Sequence, residues 1–368
     1  MVIGVDASRA VSDQPTGTES YTYHLVKALI QVADKRGHSL RLYFNQDPPE
    51  KLLPPSGPFE IIKIPFPRLW THMRLANEIS RRPPDIFFTP AHVIPFNYRR
   101  PSVATVHDLG YHFFPETHTR RQTRYLEWST QHNARQSQRV ITDSFATKLD
   151  LVRVYDIDKS KIDVIYPGLD PTIHEITDRS KLSEVQRRYG ISPPYLLYIG
   201  TLQPRKNIER LIEAFIESGV DQQLVIAGKA GWLAQPILDT AFGYQSTVTN
   251  NLVLTGFVAH EDKSALISGA DALLYPSLYE GFGFPILEGN ACGTPVICAN
   301  SSSLPEIAHD AALLINPLDV EDIAQAIKKL LMEPKLRSQL VANGHANTRR
   351  FTWEICATQV LDTLERAV

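Results

Sequence analysis

Short β-branched and aliphatic runs alternate along this chain with longer stretches whose apolar residues recur every three to four positions, the pattern of strands followed by covering helices. In the first half the runs fall at 2–6, 40–44, 60–64, 85–88, 102–106, 139–142 and 162–165. The rhythm restarts at 195–199 and continues at 224–227, 252–254, 272–275, 295–298 and 312–315. Such alternation predicts βαβ units and mostly parallel sheets, hence two doubly wound α/β domains, 1–170 and 171–350. The turn cluster at 167–171 and the polar stretch at 172–192 place the hinge between them. The last segment, 351–368, reads as a helix capped by Thr352 and carrying apolar Ile355, Val360, Leu361 and Leu364, predicted to pack across a domain boundary.

A length of 368 residues agrees with two domains, each able to bury a sizeable core. No apolar run approaches the 18 or so residues needed to span a bilayer. The opening residues lack a basic start and a cleavage site, so the sequence predicts a cytoplasmic protein. Cys292, Cys298 and Cys356 show no CxxC spacing and read as buried apolar residues, with neither a disulfide framework nor a zinc site. A net charge of -2 gives no footprint for bulk nucleic-acid binding. The charge is uneven, however: residues 1–170 carry +4 and the remainder -6. Arg81-Arg82, Arg99-Arg100 and Arg120-Arg121-Arg124 supply part of the excess, a solvated face by default or a patch that attracts a phosphorylated acceptor or anionic lipid at the inner membrane face.

Ligands of open α/β sheets bind outside the carboxyl ends of the strands, so chemistry is sought there. After the first strand comes Thr16-Gly17-Thr18-Glu19 and a helix, a place where backbone amides can approach an anion; GxGxxG is absent, which argues against dinucleotide binding. Arg205 and Lys206, in the turn 200–207, pair a planar fork with a compact cation and suit a diphosphate. In 279–288, Pro285 is a natural first helical residue, which leaves Glu280 in a loop and Glu288 one turn into the helix. Their separation fits two hydroxyl clusters of one extended ligand, with an anion facing the amides between them. His107 and Asp108 end another strand, as a base with its orienter or as structural residues, and His92 is similarly placed. Asp156 and Asp158 match a DxD metal motif by letters but sit where Asp caps turns. No GxSxG, HExxH or P-loop pattern occurs.

Together these residues resemble the retaining family 4, or group 1, glycosyltransferases over essentially the whole chain, closest to the mannosyltransferase-like members. The resemblance runs through Gly17, His107-Asp108, Arg205-Lys206-Asn207, Gly228-Lys229-Ala230-Gly231, Gly256-Phe257-Val258 and the E-x7-E pair Glu280 and Glu288. It implies a GT-B fold, two Rossmann-like domains facing a central cleft, with the C-terminal helix crossing back to the first. It also implies a metal-independent, same-face transfer of a hexose from a GDP- or UDP-sugar, with GDP-mannose favoured, to a glycan or lipid-linked acceptor and without a cofactor. By resemblance, His107, Arg205, Lys206 and Glu280 are catalytic, His107 offering its carbonyl to the anomeric centre. Gly17, Gly228, Lys229, Phe257, Val258, Phe282, Gly283, Phe284 and Glu288 hold the donor. Trp70, His92 and Asp108 are the acceptor candidates. Two departures stand out: Thr18-Glu19 where members often carry a second glycine, and Ser301-Ser302-Ser303 in place of glycines before Leu304-Pro305-Glu306. A nucleotide-sugar epimerase or hydrolase of the same architecture, or a non-catalytic sugar-nucleotide-binding partner subunit, are the competing readings.

Overall fold

The computed structural model describes residues 1–11, 17–66, 69–91, 93–247 and 251–368, with no side chains described at 245–247. It divides into two compact units. The first comprises Met1–His112, Arg120–Gly168 and Phe351–Val368; the second comprises Phe113–Thr119 and Leu169–Arg350.

The first unit is built on seven parallel strands: β1 (Val2–Asp6), β2 (Ser39–Phe44), β3 (Phe59–Lys63), β4 (Ile86–Thr89), β5 (Ser102–Val106), β6 (Arg139–Thr142) and β7 (Ile162–Val164). Their order is β3-β2-β1-β4-β5-β6-β7. The second unit holds β8 (Tyr195–Ile199), β9 (Gln223–Ala227), β10 (Leu252–Gly256), β11 (Ala272–Tyr275), β12 (Val296–Ala299) and β13 (Ala312–Ile315), in the order β10-β9-β8-β11-β12-β13. In both sheets the order reverses beside the first strand, where doubly wound folds place their ligands. Central strands such as β5, β8 and β11 are buried along their whole length, which explains why they read as continuous apolar runs.

Helix Gly17–Lys35 covers the first sheet with Tyr21, Leu25, Val26, Leu29 and Ile30 inward, while Tyr23 is only half-buried. The C-terminal helix Trp353–Arg366 lies against it and belongs to the first unit. Thr352 caps that helix by accepting from the Ile355 amide at 3.2 Å. Trp353, Cys356, Ala357, Val360, Leu361 and Leu364 form its buried face, and Ile355, expected there, points outward. Ion pairs from Arg36 to Asp362 (2.6 Å) and Glu365 (3.0 Å) lie at the edge of the contact. Each fully buried leucine or valine contributes about 1.5–3 kcal/mol, so the apolar seam outweighs these exposed pairs.

The Asp-Ile-Asp letters resolve into turn geometry. Asp156 ends helix Phe145–Tyr155 in the left-handed region (φ 53), and Asp158 accepts from the Ser160 amide at 2.9 Å. All three cysteines are buried free thiols. Among the described residues, no helix is long and apolar enough to cross a membrane.

Candidate active site

In the second unit Arg205, Lys206 and Glu280 meet beyond the ends of β8 and β11. After β8 the chain turns through Gly200 (φ 154) into the short 3-10 helix Pro204–Lys206, and Asn207 adopts the left-handed conformation (φ 60) before helix Ile208–Ser218. Asn207 fixes this turn from three sides. Its Nδ2 donates to the Pro276 (3.1 Å) and Pro317 (2.6 Å) carbonyls, and its Oδ1 accepts from Arg210 at 2.8 Å. Arg205 and Lys206 are thereby turned toward the loop after β11. Arg205 donates to the Tyr279 carbonyl (2.8 Å) and to Glu280 Oε2 (2.9 Å). Lys206 pairs with Glu280 Oε1 and donates to the Tyr275 hydroxyl at 2.8 Å, and that hydroxyl in turn donates to the same carboxylate oxygen at 2.8 Å.

Lys206 and Glu280 are both buried. Burial alone would raise the Glu280 carboxyl, but Arg205 and Lys206 more than offset it and hold the group down to about 2. Glu280 is therefore ionised, and two cations face one carboxylate. Two cations placed about one shielded carboxylate suit an anionic ligand.

The loop carrying Glu280 is held by the three serines that stand where glycines are more usual. Ser302 Oγ accepts from the Glu280 amide (2.8 Å) and donates to its carbonyl (2.9 Å). Ser303 Oγ reaches the carbonyls of Glu280 (2.9 Å) and Phe282 (2.7 Å), and Ser301 Oγ that of Ser277 (2.9 Å). Ser302 does this in the left-handed region, at φ 45, which glycine would occupy at lower cost. The serines thus trade the backbone freedom of glycine for hydroxyl bonds to the loop.

Gly283 (φ 117) then opens helix Phe284–Ala291, with Pro285 in its first turn. Glu288, on that helix, is buried and paired with Lys263, apart from the Arg205–Lys206–Glu280 group. Among the described residues its Oε2 is buried without a hydrogen-bond partner, as suits an oxygen that meets a ligand hydroxyl. Phe282 is buried with its ring edge-on to Phe284 at 5.0 Å. Gly228 (φ 151) passes so close to the Gly200 carbonyl that a Cβ would collide with it. Lys229 and Phe257 are exposed and Val258 half-buried.

In the first unit, His107 follows β5 and is oriented by Asp143, at the end of β6, through Nδ1 to Oδ2 at 2.6 Å. Burial opposes a charge on the ring, yet the Asp143 carboxylate, aided by Asp108, raises His107 above its ordinary value. The sequence neighbour Asp108 is not the orienter: its Oδ1 accepts from the Gly110 amide at 2.7 Å, at the start of helix Gly110–Phe113. The His107 carbonyl, expected to face an anomeric centre, accepts from Thr147 Oγ1 at 3.2 Å. Trp70, expected as an acceptor contact, has its side chain in the core of the first unit. It is buried among Leu75, Ile79 and Phe87, and its indole N–H donates to the Ile64 carbonyl at 2.8 Å. Gly17 is the exposed first residue of its helix. His92 lies outside the described residues.

Three neighbours of the expected site residues escaped sequence reasoning: Asp143, Tyr275 and Lys263. Asp143 and Tyr275 both stand at carboxyl ends of strands, so the strand-end rule, carried through every strand, would have singled them out.

Residues 183–347 match the family model described as "Glycosyl transferases group 1", and residues 15–173 match that described as "Glycosyltransferase Family 4". O-antigen chain mannosyltransferase B of Escherichia coli is 31% identical over 281 residues, which is 75% of this chain and 73% of that one. The serotype-specific mannosyltransferase WbdA of the same organism is 30% identical over 191 residues, half of this chain and 23% of its own length. Among solved structures, sucrose-phosphate synthase from Thermosynechococcus elongatus superposes with a TM-score of 0.77 at 20% identity, covering 99% of this chain and 98% of the other. Anabaena HepE, solved with UDP and glucose, gives 0.74 at 21% identity and 99% of both chains.

Proposed function

The chain belongs to the group 1 glycosyltransferases of family 4, with the GT-B fold, and on that premise we propose that it transfers mannose from GDP-mannose to a glycan or lipid-linked acceptor with retention of configuration. The observation that carries this reading is the Arg205–Lys206–Glu280 cluster, in which a buried lysine and a half-buried arginine meet one buried carboxylate. Arg205 and Lys206 take the donor's diphosphate, and Glu280, held ionised between them, accepts hydrogen bonds from hydroxyls of the sugar. Glu288 accepts from the ribose. The amides freed at Phe282, Gly283 and Phe284 face the phosphates at the start of their helix.

In the reaction, the bond between the anomeric carbon and the diphosphate oxygen breaks as the acceptor oxygen bonds to the same face of that carbon. The acceptor proton passes to the departing phosphate oxygen, and Arg205 and Lys206 stabilise the negative charge that develops on the leaving group. This assigns no side chain the part of nucleophile, unlike the two-carboxylate route of retaining glycosidases. Because two side-chain cations meet the diphosphate, the reading includes no metal. Mannose is supported by the named mannosyltransferases among the relatives and by the motif resemblance.

A thermal-shift panel of GDP-mannose, UDP-glucose and ADP-glucose with EDTA present tests the donor. At about 100 times its dissociation constant the true donor should stabilise by about 2.7 kcal/mol. GDP-mannose is expected to stand out, and a larger response to another sugar nucleotide would overturn that assignment. Lys206→Ala should lower turnover about a hundredfold while changing donor affinity much less. Equal losses in both would reduce Lys206 to a binding group.

A further inference from the structure

Helix Arg120–Gln136 of the first unit carries Tyr125, Trp128 and His132 at successive turns, and their rings do not enter the core. Trp128 stacks on His132 with ring centroids 5.3 Å apart and planes within 15°. His132 stacks in turn on Phe96 at 6.1 Å and 19°. Tyr125 and His72 close on Trp128, each at 5.9 Å. The result is one continuous row of five rings, of which Phe96 is 56%, Tyr125 51% and Trp128 40% exposed. An ordered apolar row of this kind left at the surface marks an interaction site. The backbone beside it is also unusual: His72 sits on the π-helical segment Trp70–Leu75, entered through Leu69 in the left-handed region at φ 54. Both are costs that folds retain mainly at functional places.

The chemistry of the row points to its occupant. His132 is fixed by a contact from Nε2 to the Ile94 carbonyl at 3.1 Å, and His72 by accepting from the Phe96 amide at Nδ1 (3.4 Å). Partial burial disfavours charge on both rings and lowers their pKa values, so at neutral pH they offer neutral nitrogens. A sugar ring has an apolar C–H face and a rim of hydroxyls; aromatic faces meet the first and neutral imidazoles the second. Here the rings are locked to one another, which lowers the ordering cost of binding a rigid, shaped ligand.

We propose that the row formed by Phe96, His132, Trp128 and Tyr125, with His72, is a subsite that holds the already-built part of a carbohydrate acceptor by stacking on its sugar rings. The proposal rests on the glycosyl-transfer reading above, and it assigns this surface the recognition of acceptor length. The test compares linear α-mannohexaose with α-mannobiose as acceptors, GDP-mannose as donor, in the intact chain and in Trp128→Ala and Trp128→Phe.

The wild type should use the hexaose about tenfold better in kcat/KM, the scale of one well-placed aromatic contact. Trp128→Ala should erase that preference while leaving the rate with biose and the thermal shift by GDP-mannose unchanged, and Trp128→Phe should restore most of it. A preference that survives Trp128→Ala, or a wild type indifferent to acceptor length, overturns the proposal. So does loss of binding to phosphatidylglycerol vesicles in Trp128→Ala with acceptor kinetics intact, which would make the row a lipid contact. If no transfer is seen from any donor, titration of the hexaose decides: binding to the wild type but not to Trp128→Ala upholds the subsite and removes only the donor assignment, whereas equal binding to both overturns it.

Discussion

At the scale of single residues, Ser302 shows how a local penalty can mark a functional position. Replacing it by glycine would relieve the left-handed backbone, worth about 0.5–1 kcal/mol, and delete two hydroxyl bonds of about 1 kcal/mol each. Stability should therefore move by only about 1 kcal/mol in Ser302→Gly, while the Glu280 loop loses its staple and kcat falls about tenfold. Unchanged turnover in a folded Ser302→Gly chain would show that the hydroxyl is dispensable to the site. Glu280 supports a pH prediction. Its pKa is depressed in the folded chain, to about 2 from 4.5, so its stabilisation is fully present above about pH 4.5 and is lost as the pH falls toward 2. At about 1.36 kcal/mol per unit, the wild type should lose on the order of 3 kcal/mol relative to Glu280→Gln across that window. Parallel acid denaturation of the two proteins would rule out this role for the carboxylate.

Elements were the most legible level. Strands buried on both faces, such as β5, β8 and β11, must be apolar throughout, and β1 to β13 were all legible as runs to within two residues at their ends, the exposed edge strand β3 included. Arg205, Lys206 and Glu280 were legible as well, because each lies in a short stretch whose composition departs from that of a plain turn. The pairing of His107 with Asp143 was not: it depends on β5 and β6 lying side by side, a long-range fact that no local pattern carries. The burial of Trp70 was not legible either: its indole donates to the Ile64 carbonyl and packs with Leu75, Ile79 and Phe87, partners that no periodic pattern announces. The C-terminal helix allows a quantitative test of packing. Leu361 is fully buried against the first unit, and Leu361→Ala should destabilise it by about 2–5 kcal/mol, read from the denaturant midpoint. A shift below about 0.5 kcal/mol would mean that this helix adds little to the core.

For the molecule as a whole, sequence order and spatial order part company. The first unit gathers its chain from both ends, taking Phe351–Val368 from beyond the whole second unit. Residues 353–364 complete a core that also holds Leu25, Leu29 and Ile30. During synthesis, that apolar surface leaves the ribosome long before the helix that covers it. At about 5–20 residues per second the intervening span takes on the order of 10–40 seconds, during which the first unit is incomplete and the second can already close. The last helix therefore acts as a completion signal: the chain finishes its first domain only after its second has been made.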